Sequence, residues 1–155
     1  MIEIKKSPGA DSRSRKNLTK EELKSNTKLH IEDVKKGISF FIDLLKKSQE
    51  KHDYTKLEYL DEFYKDFKKN FSGEENRKWL YKHYKTERHH FKIPEYIQDD
   101  IDLIDILEQV ADSVMAGKAR TGEFYIEIPP LELLRKAYVN TANKLLSEVK
   151  VIDNE

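Results

Sequence analysis

The chain has 155 residues, and 29 lysine and arginine side chains balance 29 aspartate and glutamate side chains. A chain of this length is expected to form one domain with a substantial core. Its zero net charge gives no general attraction to nucleic acid or to an anionic membrane. Cysteine is absent, which excludes disulfides, thiolate metal ligands and cysteine nucleophiles. Because the chain is small and its net charge is zero, we expect a small-molecule partner rather than a polynucleotide.

The apolar stretches are short and interrupted. The longest, Ile38 to Leu45, contains polar residues and is far below the roughly 20 residues that cross a bilayer. The first 20 residues are mostly polar or charged and contain no continuous apolar run, unlike a secretory signal peptide. The sequence therefore predicts no membrane association and a cytoplasmic location.

The N-terminal region lacks apolar periodicity. Residues 1–18 are expected to form an extended arm, followed by a helical domain over residues 19–150. The arm is either a disordered tail or a segment that lies across the site, where Arg13 or Arg15 could contact phosphate oxygens. Thr19 and Glu22 have the spacing of a capping box. Apolar residues at helical spacing then predict a first long helix from Thr27 to Lys47, with His30 in its early turns.

Two shorter helices are expected in the middle of the chain. Apolar residues from Leu57 to Phe67 predict a helix that ends near Ser72-Gly73, and Trp79 to Tyr84 marks another that carries His83. A loop should begin at His89-His90 and run to Asp99.

An apolar stripe from Asp100 to Ala116 predicts a helix with Asp105, Glu108 and Asp112 along the border of the stripe. Phe124 to Ile128 has a short β-like pattern, and Leu131 to Val149 is expected to be the last helix. These elements predict an all-α single domain.

All five histidines form one ordered series, followed by an aspartate in a VAD tripeptide. Neutral imidazole and carboxylate ligands suit Mn, Fe, Co or Zn, whereas a calcium or magnesium site is built mainly from oxygen. The series therefore predicts one or two divalent transition metal ions, with Mg an alternative. It consists of His30, His52-Asp53, His83, His89-His90 and Asp112.

This order, with Lys56 completing an HDxxK pattern, resembles the HD-domain metal-dependent phosphohydrolase superfamily over about Leu29 to Ala116. The extra histidines resemble those of the phosphodiesterase-like and HD-GYP branches of the superfamily. The segment after His89-His90 lacks the DGxGYP-type sequence of the HD-GYP branch, so cyclic di-GMP is not supported as the substrate. The HDxTK, RHH and DLIDILEQVAD segments are also similar to a family of uncharacterised small proteins common in bacteriophages. The resemblance implies an HD-domain-like helical bundle.

The resemblance also implies roles for individual residues. His30, His52, Asp53 and Asp112 would bind the central metal, while His83 and one or both of His89 and His90 would complete a second position with Asp53 as the bridge. Lys56 would act with Asp53 in catalysis by donating to a phosphoryl oxygen or the leaving group.

Five further residues are candidates for supporting roles. Arg88 and Arg120 have the chemistry for phosphate recognition, against the alternative of ordinary surface charges. Tyr54 could stack on a base. Asp105 and Glu108 are expected behind the ligands, where they would orient imidazole rings, or else at the solvated edge of their helix.

The expected function is metal-dependent hydrolysis of a nucleotide or other small phosphate ester, in the host cytoplasm if the chain is phage-encoded. Two alternatives belong to other classes. One is an HD-fold di-iron oxygenase, and the other is a metal-stabilised binding protein without turnover. The oligomeric state, including a homo-oligomer, stays open at this point.

Overall fold

A computed structural model describes residues 1–6, 18–123 and 128–153. Its helices are α1 (Lys20–Lys51), α2 (Tyr54–Glu58), α3 (Leu60–Lys68), α4 (Lys78–Thr86), α5 (Leu103–Thr121) and α6 (Leu131–Glu148). Short 3-10 helices span Glu74–Asn76 and Pro94–Tyr96, and two strands, β1 (Ile2–Lys5) and β2 (Val149–Ile152), pair in parallel. The prediction of an all-α fold is confirmed. No helix in the described ranges is long and apolar enough to span a membrane.

The chain divides into two compact units. One comprises Met1–Leu44 with Ala142–Glu155, and the other comprises Leu45–Thr141. In the first unit, β1 pairs with β2 so that Ile2 lies opposite Val149. This strand was not foreseen in the predicted arm, whose residues 7–17 lie outside the described ranges, as does most of the β-like stretch at 124–128.

Helix α1 begins at the predicted capping box, several residues before the start at Thr27 that apolar spacing predicted. The Thr19 hydroxyl accepts the Glu22 N–H at 3.2 Å, and the Glu22 carboxylate accepts the Thr19 N–H at 2.8 Å. This reciprocal capping satisfies backbone donors that have no partner within the helix. The helix then continues to Lys51, so that the His52-Asp53 turn follows it directly.

The predicted second helix is two helices, because Tyr59 leaves helical geometry (φ −115°, ψ 41°) between α2 and α3. After α3 the chain turns sharply, with Asn70 and Phe71 both at φ 51°. The Phe71 ring lies 6.2 Å from that of Trp79, which also stacks on Phe63 at 4.0 Å between centroids. Burial of Trp79 in this aromatic cluster offsets the strain of the turn and fixes α4 against α3.

Helix α4, which carries His83, receives its cap from another helix. The Asp66 carboxylate on α3 accepts the backbone N–H of Trp79 at 2.9 Å. A negative charge at a helix N-terminus complements the helix dipole. Asp66 therefore fixes the start of α4 and, with it, the position of His83.

Helix α5 starts at a capping box in which Asp102 accepts the Ile104 N–H at 2.8 Å and Asp105 accepts the Asp102 N–H at 2.9 Å. The start is anchored to α6, because the Thr141 hydroxyl accepts the Leu103 N–H at 2.8 Å. At its other end Gly122 adopts φ 77°, a left-handed conformation that suits glycine. Helix α5 is therefore fixed at a position where Glu108 and Asp112 contact His52.

Candidate metal centre

The centre is built around the turn that joins α1 to α2. Asp53 adopts a left-handed backbone conformation (φ 56°, ψ 21°), which is uncommon for a residue other than glycine and more accessible to aspartate than to most. Its Oδ2 atom accepts a hydrogen bond from Lys56, one turn further along α2. Burial would raise the pKa of Asp53, but the hydrogen bond and charge of Lys56, with His52 and His83, lower it overall.

The two carboxylate oxygens of Asp53 face different imidazoles. Oδ2 lies 3.5 Å from Nε2 of His52, whereas Oδ1 lies 3.5 Å from Nε2 of His83 and 3.8 Å from Nε2 of His89. Two atoms that bind one zinc-like ion at about 2.1 Å are separated by roughly 3.0 to 3.4 Å. Contraction by a few tenths of an ångström would therefore bring each pair to ligand distance.

The first set of potential ligands consists of His52, Asp53 and Asp112. Nε2 of His52 lies 3.7 Å from Oδ1 of Asp112, which α5 brings to the turn from 60 residues further along the chain. One nitrogen and two carboxylate oxygens suit a divalent transition metal with positions left for water or substrate.

The second set consists of Asp53, His89 and His90, with His83 beside them. The Nε2 atoms of His83 and His90 lie 2.8 Å apart. Either one nitrogen donates a proton to the other, or both direct lone pairs at one cation. Burial lowers the pKa of His83 to about 4 and, with the neighbouring His89 and His83 rings, that of His90 to about 3. Both imidazoles are therefore neutral near pH 7, which is the form that binds metals.

Glu108 lies behind two of the histidines. Its Oε1 atom is 2.9 Å from Nδ1 of His52 and 2.9 Å from Nδ1 of His89, and Oε2 accepts from Ser48. Burial opposes the charge of Glu108, but the contacts from His89, Ser48 and His52 lower its pKa to about 2. This carboxylate therefore favours a proton on each Nδ1. Burial opposes the charge of His89, but Glu108, Asp53 and Asp112 raise its pKa overall. In the neutral form of each ring, the Nε2 lone pair is directed at Asp53.

Three polar atoms of the centre are buried without a hydrogen bond from the described residues. They are Oδ1 of Asp53 and both ring nitrogens of His89, whose Nδ1 meets Glu108 without the alignment of a hydrogen bond. Leaving a buried polar atom unpaired costs about 1–3 kcal/mol. A cation at Oδ1 and Nε2 would remove that cost for both atoms, so the residues present fit a metal.

Two residues of the centre, Thr55 and Glu87, were not predicted from the sequence. Thr55 and Glu87 are buried at 0% and 5% exposure behind His83. The Thr55 hydroxyl lies 2.7 Å from Nδ1 of His83 and 2.6 Å from Oε1 of Glu87. The only sequence signal was their proximity to predicted ligands, because threonine and glutamate are common on helices in other roles.

The remaining predicted residues have other surroundings. His30 lies at an exposed position of α1 in the first compact unit and belongs to none of the ligand groups, which all lie in the second. Arg120 and Tyr54 are exposed, so their roles at the substrate stay predictions.

Arg88 and Asp105 bind each other. The Arg88 guanidinium donates to Asp105 through Nε and Nη2, both at 2.8 Å, and to Asp100 at 2.9 Å. Burial opposes the charge of Arg88, but the two carboxylates raise its pKa above the usual value. Asp105 thus binds an arginine and caps the N-terminus of α5, whereas Glu108 makes the contacts with imidazole rings. The expected role of Glu108 in orienting those rings stays a prediction. Phosphate recognition by Arg88 stays a prediction.

Comparisons with protein-family models, with curated proteins and with solved structures give no match for this chain. Membership of the HD-domain superfamily therefore stays a prediction that rests on the motifs.

Proposed function

We propose that the chain is a metal-dependent phosphohydrolase that acts on a nucleotide or another small phosphate ester. The observation that carries the proposal is the position of Asp53, whose oxygens face two separate imidazole sets and whose Oδ1 is buried without a hydrogen bond from any described residue. Asp53 belongs to two groups of potential ligands. His52, Asp53 and Asp112 would hold one ion, and Asp53, His83, His89 and His90 the other.

Bound divalent ions would supply an activated water nucleophile and neutralise charge on the phosphoryl oxygens. In the hydrolysis the water oxygen forms a bond to phosphorus, the ester P–O bond breaks, and the leaving oxygen gains a proton. Lys56 is tethered to Asp53 and is about one-third exposed, so its ammonium can reach a substrate beside the ligands. It would stabilise a phosphoryl oxygen or protonate the leaving group.

The test compares wild type with Asp53→Asn, because asparagine also tolerates the left-handed backbone of this turn. Purified protein is stripped of metal, reloaded with Mn²⁺ or Zn²⁺, and assayed for phosphate release from nucleoside mono-, di- and triphosphates. We expect one or two ions per wild-type chain and turnover that Asp53→Asn abolishes. Asp61→Asn, an exposed change on α3, is the matched control and should leave turnover unchanged.

Other outcomes identify the alternatives. Two irons per chain with oxygen consumption and no phosphate release would favour the di-iron oxygenase. Bound metal without either activity would favour a metal-stabilised binding protein. A wild-type chain that binds no divalent metal would overturn the proposal.

A further inference from the structure

His83 is contacted from behind by two buried side chains that the proposed chemistry does not use. Glu87 accepts the backbone N–H of Thr55 at 3.1 Å and the Thr55 hydroxyl at 2.6 Å, both at Oε1. The same hydroxyl lies 2.7 Å from Nδ1 of His83. These contacts form a continuous chain from Glu87 through Thr55 to the imidazole.

The direction of these hydrogen bonds follows from the number of protons. A carboxylate only accepts, so the single hydroxyl proton of Thr55 is donated to Glu87. The hydroxyl oxygen can then only accept from His83, which requires a proton on Nδ1. With Nδ1 protonated and the ring neutral, Nε2 carries the lone pair, and this atom lies 3.5 Å from Oδ1 of Asp53.

The plane of the His83 ring is also fixed. Trp79 stacks on it with centroids 4.8 Å apart and planes 18° apart, and the indole N–H of Trp79 donates to the Thr55 carbonyl at 3.4 Å. The side chain of His83 is 3% exposed, so water does not compete for Nδ1. Rotation of the ring would break both the stacking and the hydrogen bond to Thr55.

We propose that Thr55 and Glu87 are positioning residues that hold His83 as the Nδ1–H tautomer and so present its Nε2 lone pair to the metal centre. The inference deepens the proposed function and rests on its metal centre. Glu108 contacts Nδ1 of His52 directly, whereas Glu87 acts on Nδ1 of His83 through the Thr55 hydroxyl. Such support behind a metal-binding histidine typically contributes about 10- to 100-fold to metal affinity.

The first test is nitrogen NMR of the histidine rings in the full-length, metal-free protein. We expect His83 to carry its proton on Nδ1, while the exposed ring of His30 serves as an internal reference. Thr55→Val removes the hydroxyl at nearly constant volume, so a fraction of His83 should carry its proton on Nε2 instead. Thr55→Ser keeps the hydroxyl, and His83 should carry its proton on Nδ1 as in wild type. An Nε2–H tautomer in wild type, or an unchanged tautomer in Thr55→Val, would overturn the inference.

The second test is titration with Zn²⁺ or Mn²⁺. The only tryptophan of the chain stacks on His83, so its fluorescence should report occupancy. We expect Thr55→Val to bind metal about 10- to 100-fold more weakly and Thr55→Ser to bind like wild type. If Thr55→Val does not fold, Glu87→Leu replaces it as the test variant. Loss of the Glu87 carboxylate allows the Thr55 hydroxyl to donate to Nδ1 of His83, so the His83 proton should move to Nε2. Retention of the Nδ1–H form in Glu87→Leu would contradict the inference.

The two proposals fail in different ways. Metal binding with the expected tautomer but without phosphate release would refute the hydrolase and leave the positioning role intact. Phosphate release with equal metal affinity in Thr55→Val would refute the positioning role alone.

Discussion

Asp53 combines a strained backbone with a carboxylate that contacts three of the histidines. Strain of this kind persists only where surrounding contacts determine the conformation, and it is often found at functional sites. The adjacent His52 and the tether to Lys56 depend on the same turn. The HD dipeptide thus has a structural meaning, because it forms the turn between α1 and α2 and places two neighbouring side chains in one centre.

The backbone strain at Asp53 can be separated from the role of its carboxylate. Asp53→Gly and Asp53→Ala both remove the carboxylate, but only glycine adopts a positive φ without steric cost. We expect the glycine variant to be more stable by about 1 kcal/mol in urea denaturation. Equal stability, or a more stable alanine variant, would show that the turn relaxes away from φ 56° once the carboxylate is removed.

Glu108 should affect metal binding more than folding. Glu108→Gln keeps an oxygen acceptor for the imidazoles but removes the charge that favours the Nδ1–H form of His52 and His89. We expect metal affinity to fall by about 10- to 100-fold in an equilibrium titration. Glu50→Gln, an exposed change near the end of α1, should leave the affinity unchanged. Wild-type affinity in Glu108→Gln would contradict the assigned role.

Among the elements, α5 carries two residues of the centre, Glu108 and Asp112. Its N-terminus is held by the capping box of Asp102 and Asp105 and by Thr141 on α6. Arg88, which precedes His89, donates to Asp105 in the same box. The start of α5 is therefore linked directly to the loop that supplies two of the histidines.

The cap of α5 can be tested through stability. Asp102→Ala removes the acceptor of the Ile104 and Asp105 N–H groups and should lower the free energy of unfolding by about 1 kcal/mol. Asp102→Asn keeps a capping oxygen and should lose less. Urea denaturation followed by circular dichroism measures both values. An alanine variant as stable as wild type would mean that the cap contributes nothing.

For the whole molecule, every potential ligand that the structure groups together lies in the unit Leu45–Thr141. The resemblance adds His30, which lies in the other unit. Because the unit Leu45–Thr141 contains all the grouped ligands, we expect the His30→Ala variant to keep its bound metal and the His52→Ala variant to lose it. Elemental analysis of the purified variants measures the metal content. Loss of metal in His30→Ala would show that the centre takes a ligand from each unit.

Much of the architecture was predictable because its causes are local. Apolar spacing identified the long helices, and the spacing of Thr19 and Glu22 predicted the cap of α1. Boundaries were less accurate, as at Tyr59, because the break there depends on backbone geometry that apolar periodicity does not encode. The pairing of β1 with β2 joins opposite ends of the chain, and no local pattern contains that information.

The sequence by itself determined the helical class and the imidazole and carboxylate chemistry of the centre, since both depend on residue type and short spacing. Only the tertiary structure decided which atoms meet. It placed Glu108 against His52 across 56 positions, Thr55 against His83 across 28, and Arg88 against Asp105. The physical reason is that a tautomer or an ion pair is set by contacts a few ångströms long, and packing alone brings such distant residues within that range.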